Sequence, residues 1–163
     1  EEMGLPAAGW TIDLIATDLS AEAIARAELG RYAQCEIERG INPERQASHF
    51  CPEDDGWHIA EKLRRMVTFR RFNLLDSYGW LDDLDIVFCR NVLIYFDAPP
   101  KTRILNGIAG RLAADGALLL GGAESVFSIC DAFTGLPGLK GVYGHTKSST
   151  RAPWPRQSLP AAS

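Results

Sequence analysis

The chain has 163 residues, 46% of them hydrophobic and 23% charged, which suits one domain with a packed core and excludes disorder by composition. Its net charge of −4, from 17 Lys+Arg against 21 Asp+Glu, gives no general attraction to nucleic acid or to an anionic membrane. Cys35, Cys51, Cys89 and Cys130 form no Cys-x-x-Cys pair and have no histidine cluster beside them; no metal is expected, and reduced thiols of a cytoplasmic protein are the simple reading.

Residues 1–6 read as the last turn of a helix, closed by Gly4 and Pro6. Residues 11–17 alternate as a strand that ends at Asp18. Ser20 is a good cap for a helix over 21–29, and Gly30 is its natural stop. The stretch 31–66 is more polar and less regular, and reads as a small inserted subdomain. Within it, Asn42 and Pro43 start a short helix running to about residue 50. A turn-rich loop follows over 51–56, with room for a small hairpin. Residues 67–73 alternate again as a strand, and Asn73-Leu74-Leu75-Asp76 leaves its carboxyl end.

Leu84, Ile86, Val87 and Phe88 form a near-continuous apolar run, the pattern of a parallel strand covered on both faces. Cys89, Arg90, Asn91 and Tyr95 then stand where that strand, read over 85–89, should end. Ligands of open α/β sheets bind at the carboxyl ends of parallel strands. Asp97 is placed to cap a helix over 99–114, with Ile104, Leu105, Ile108 and Leu112 on one face. Asp115-Gly116 breaks it, a strand over 116–120 follows, and Gly121-Gly122-Ala123-Glu124-Ser125 leads into a loop or short helix. The last strand is expected over 142–146. Residues 147–163, rich in Ser, Pro and Ala, read as a disordered tail or linker.

Each polar residue also has a plainer reading. Asp18 suits a strand-end turn, Asn73 a local backbone contact, Cys89 core packing, and Tyr95 a core aromatic. Arg90 at a buried strand end calls for a carboxylate partner, with Asp18 or Glu124 as the candidates.

The order of segments is more specific than any one of them. Ala16-Thr17-Asp18-Leu19-Ser20, Phe72-Asn73-Leu74-Leu75, Cys89-Arg90-Asn91-Val92-Leu93-Ile94-Tyr95-Phe96-Asp97, Leu112-Ala113-Ala114-Asp115-Gly116 and Gly121-Gly122-Ala123-Glu124-Ser125 follow one another. Together they resemble the catalytic domain of the CheR family, the chemotaxis receptor glutamate methyltransferases. The resemblance spans roughly 9–146. It implies an α/β fold, the doubly wound, Rossmann-like sheet of S-adenosylmethionine-dependent methyltransferases. It implies methyl transfer from that cofactor to glutamate side chains of the cytoplasmic domain of a chemotaxis receptor, by a cytoplasmic monomer that neither binds nucleic acid nor inserts in the membrane. By position, Asp18 would accept from the ribose hydroxyls. Asn73 and Leu74 would lie beside the adenine, and Cys89 and Arg90 would line the methionine end. Tyr95, with Arg90, would face the transferred methyl and the substrate carboxylate.

The family's glycine-bearing first motif and first strand, and its amino-terminal helical region, would precede Glu1. The chain therefore reads as a partial catalytic domain over 1–146, with 31–66 inserted. The rival reading is a non-catalytic remnant that binds receptors or regulators. On the partial-domain reading, this chain alone is expected to bind S-adenosylmethionine weakly or not at all, because the glycine turn brings backbone amides to the cofactor. Calorimetric titration giving micromolar affinity would contradict that. Some family members also grip a receptor tail through a Gly-x-Gly loop; the matching stretch, about 50–59, has Gly56 only. A basic run including Arg64, Arg65, Arg70 and Arg71 remains as a candidate surface for an acidic receptor.

Overall fold

The computed structural model describes residues 11–81 and 83–146. The helical turn expected over 1–6 and the tail expected over 147–163 lie outside the described residues. The chain divides into a unit ending at Asn73 and a unit beginning at Leu74.

In the first unit, β1 (Leu14–Asp18) leads into α1 (Ala21–Leu29). Ser20 caps the helix as expected, its side chain accepting from the Ala23 N–H at 3.2 Å, and Gly30 closes it in the left-handed region at φ 68. The chain continues through β2 (Arg31–Tyr32), α2 (Gln34–Gly40), α3 (Pro43–His49), β3 (Phe50–Glu53), β4 (Gly56–Ile59), α4 (Glu61–Arg64) and β5 (Val67–Arg71). Asn42 caps α3 through its carboxamide, which accepts from Arg45 N–H at 2.8 Å. β5 pairs parallel with β1, from Leu14 beside Val67 to Asp18 beside Arg71. β2, β4 and β3 form a separate antiparallel sheet in that order.

The loop expected over 51–56 is thus mostly strand. Pro52, which argues for a loop by lacking a donor, sits on β3, the outer strand of the small sheet, where a missing donor is tolerated. α2 carries no such signal in its sequence, which has no side-chain cap at Ala33. Instead the Glu36 carboxylate accepts from the Ala33 N–H at 2.8 Å and from Arg26 of α1 at 3.0 Å.

In the second unit, β6 (Leu84–Cys89), α5 (Ala98–Ala109), β7 (Leu112–Leu120), β8 (Phe133–Gly135) and β9 (Val142–His145) form a four-stranded sheet, order β6-β7-β9-β8, with its helix. β6 and β7 are parallel; β9 runs antiparallel to β7 and to β8. Ile104, Leu105 and Ile108 of α5 are buried in one cluster with Leu112, Leu118, Leu120, Val126, Phe133 and Tyr143. Burying such aliphatic side chains is what makes the unit compact.

The structure departs from the sequence reading at two places here. The helix stops at Ala109, not at 114, and Leu112 enters the core from the first residue of β7. Asp115-Gly116 then lies inside that strand, where the ladder jumps from Leu84 beside Leu112 to Ile86 beside Ala117. Gly116 is needed at this irregularity: a Cβ there would sit 2.9 Å from the Leu84 carbonyl oxygen. β6 is also not covered on both faces. Val87 and Cys89 pack against the core, whereas Ile86 and Phe88 on the other face are exposed among the described residues, Phe88 by 70%.

Candidate functional site

At the carboxyl end of β1, Asp18 is exposed, and its Oδ1 accepts from the Ser20 N–H at 2.7 Å. The turn role weighed for Asp18 is therefore present, and it leaves the second carboxylate oxygen outside that bond. The Asp18 carbonyl accepts from the Phe72 N–H at 2.9 Å, and the Arg71 Nε–H donates to the Leu19 carbonyl at 2.9 Å. Asp18 and half-buried Asn73 thus both lie at the carboxyl end of the two-stranded parallel sheet. Leu74 belongs to the second unit, where its side chain packs against the core and its carbonyl accepts from the Tyr78 hydroxyl at 2.9 Å.

The second unit carries the other group of candidates. Cys89, buried, is the last residue of β6. Burial first, and then the Glu124 charge, push its thiol up to about 11. It is a neutral packing group at physiological pH, not a nucleophile. Arg90 is exposed. Asn91 then turns the chain in the left-handed region at φ 59, a conformation that asparagine tolerates. Leu93–Tyr95 form a single 3-10 turn, with Leu93 buried in the core, and Tyr95 projects 80% exposed.

Glu124 organises this turn. Its Oε2 accepts from the N–H groups of Asn91 and Gly121, both at 2.7 Å. Its Oε1 accepts from Val92 at 2.9 Å, Leu93 at 2.7 Å and Ile94 at 3.3 Å. Glu124 is 8% exposed, the buried charged residue among those described. Burial pushes its pKa up, but the N–H groups of Asn91, Gly121, Leu93 and Val92 pull it further down, and the net direction is down.

The pairing of Arg90 with Glu124, weighed from sequence, does not occur among the described residues of the second unit. Arg90 needs no such partner because it is solvent-exposed, and the Glu124 oxygens are occupied by backbone. Tyr95 is likewise no core aromatic. The only sequence signal for the role of Glu124 was a lone acid shortly past a buried apolar strand, in Gly121-Gly122-Ala123-Glu124. The basic run is also largely committed. Arg64 and Arg65 share Glu61 at 2.8 and 2.7 Å, Arg64 donates to the Glu28 carbonyl at the end of α1, and Arg71 holds Leu19.

Each unit has parallel strands, ending in an acid in the first and in a polar, aromatic turn in the second, as in open α/β sheets that bind ligands at strand ends. A family model described as CheR methyltransferase, SAM binding domain, matches residues 1–142. A chemotaxis protein methyltransferase of Vibrio parahaemolyticus is 40% identical over 76% of this chain and 45% of its own length. Chemotaxis protein methyltransferase 1 of Pseudomonas aeruginosa is 42% identical over 74% and 44%. Chemotaxis protein methyltransferase Cher2 of Pseudomonas putida is 44% identical over 72% and 43%. The chain belongs to the CheR methyltransferase family, and it spans less than half the length of these relatives. Among the described residues, no helix is long and apolar enough to cross a membrane.

Proposed function

We propose that this chain is the catalytic part of a protein-glutamate O-methyltransferase that takes methyl groups from S-adenosylmethionine to glutamate side chains of chemotaxis receptors in the cytoplasm. The observation that carries this reading is the Arg90–Tyr95 turn, fixed through its backbone to Glu124 while Arg90 and Tyr95 stay exposed. Family membership supports the cofactor, and the names of the relatives support the setting in chemotaxis. We further propose residues 31–66, with their own three-stranded sheet, as a subdomain inserted in the catalytic domain.

The exposed Asp18 carboxylate fits a ribose diol, with Asn73 and Leu74 assigned to the adenine and Cys89 and Arg90 to the methionine end. Bound S-adenosylmethionine supplies a methyl carbon on a positively charged sulfur. A glutamate carboxylate is already ionised at neutral pH. With the cofactor bound, its oxygen would bond to that carbon as the carbon–sulfur bond breaks, the electron pair leaving with sulfur. The products are a methyl ester and a thioether, and no proton moves. The chain's own residues need supply no base. Arg90 and Tyr95 orient the carboxylate oxygens, and their value lies in alignment and desolvation.

Tyr95→Phe in the intact protein is expected to lower kcat by about 100-fold, the order a misaligned reactant costs, with cofactor affinity changed far less. Being exposed, the ring can lose its hydroxyl without disturbing the core. Unchanged turnover with a glutamate-bearing receptor fragment would refute the assigned role.

A further inference from the structure

We infer that Glu124 is a positioning residue for methyl transfer: it sets the backbone of the turn that aims Arg90 and Tyr95. This rests on the roles proposed above for those two residues. Five N–H groups, from Gly121, Asn91, Val92, Leu93 and Ile94, converge on one carboxylate at 2.7 to 3.3 Å. A run of successive N–H groups of this kind forms a concave nest that ordinarily suits a bound anion. Here the chain fills the nest with its own side chain. A carboxylate offers about four acceptor sites, so five donors leave none for a substrate. Glu124 therefore acts through the turn and touches no reactant.

The nest residues are the four between Arg90 and Tyr95, together with Gly121 on the facing loop. Tyr95, 80% exposed, has no hydrogen-bonded side-chain partner among the described residues; its own N–H reaches the Val92 carbonyl at 3.2 Å. Its direction is set by the turn, and the turn is set by Glu124. Gly121 belongs to the same device. A Cβ there would stand 2.6 Å from Glu124 Oε2 and 2.9 Å from the Asn91 nitrogen.

The test compares Glu124→Gln with wild type in the intact protein. Glutamine keeps the shape but turns an NH2 group toward backbone donors, and so cannot accept all five. The expected result is a fall in kcat of about 100-fold with KM for the methyl donor little changed, and nitrogen-15 spectra in which the amides of those five residues move while those of α5 and β9 stay. In an R90A/Y95F background, E124Q should add little further loss, because its effect passes through those side chains. A full, additive loss in that background overturns the inference, and so does unchanged turnover in E124Q. Wild-type turnover in R90A/Y95F itself overturns the roles of Arg90 and Tyr95, whereas unmoved amides in E124Q overturn the nest alone. The unmutated protein gives a second reading that needs no variant to fold. On acidification the five amides should shift together, with one midpoint below the ordinary glutamate value of 4.5. Cys89, the titratable group beside Glu124, stays protonated throughout. Unrelated midpoints overturn the inference.

Discussion

Glu124→Ala is expected to lower the unfolding free energy by about 3 kcal/mol, the upper end of what one orphaned buried donor costs. Each of the five N–H groups loses its acceptor, and an orphaned buried donor costs about 1 to 3 kcal/mol. Those costs do not sum, because water entering the vacated space relieves some of them. Urea denaturation of wild type and variant measures the difference. A loss below about 1 kcal/mol would mean that water serves the nest as well as the carboxylate does. The same interaction fixes a pH dependence. The folded-state pKa of Glu124 is depressed, so its contribution is fully present above the ordinary 4.5 and is lost as pH falls through the depressed value. Wild type should therefore lose stability to acid over that window more steeply than Glu124→Ala.

Gly121→Ala is the second large effect. Gly121 does not hold a left-handed conformation, and its requirement is space alone. The added methyl would overlap the Glu124 carboxylate and Asn91, both fixed by the nest. Overpacking of this kind costs about 1 to 3 kcal/mol, and here it also displaces the turn. Gly122, the next residue, has open space around it: a Cβ added there would meet nothing within 4 Å. Gly122→Ala should accordingly stay within about 0.5 kcal/mol of wild type. The double variant G121A/E124A should fall well short of the sum of the single losses, since both act on one cage. Equal effects at the two glycines would show that Gly121 matters for some reason other than close approach.

Local chemistry made parts of the fold readable. Ser20 and Gly30 bracket α1, and Asn42-Pro43 starts α3, because caps are written in adjacent residues. The family resemblance likewise came from short segments at strand ends. Where reading failed, a neighbour distant in sequence decided. Leu112 continues the helical spacing of Ile104 and Ile108, yet it reaches the same core as the first residue of a strand. Asp115-Gly116 carries a stop signal that the sheet uses as an irregularity within β7. β8 is three residues long and holds its place through β9, a pairing with no local signature. The acid that shapes the candidate turn lies some thirty residues after it, and sequence alone linked Glu124 to Arg90 by charge, although the actual partners are backbone amides.

Pro52 has a consequence for how this protein behaves in crowded solution. The Ala60 N–H donates to the His49 carbonyl at 2.7 Å, and the alternation of an antiparallel ladder then turns the backbone of Phe50 and Pro52 outward from the small sheet. Pro52 has no N–H, and the Phe50 N–H already donates to the Gln46 carbonyl at the end of α3, so neither offers a donor to an incoming strand. Another molecule's β-segment finds no N–H donor at either outward-facing position. This margin thereby resists the edge-to-edge joining from which fibrous aggregates grow, and proline protects it without adding charge.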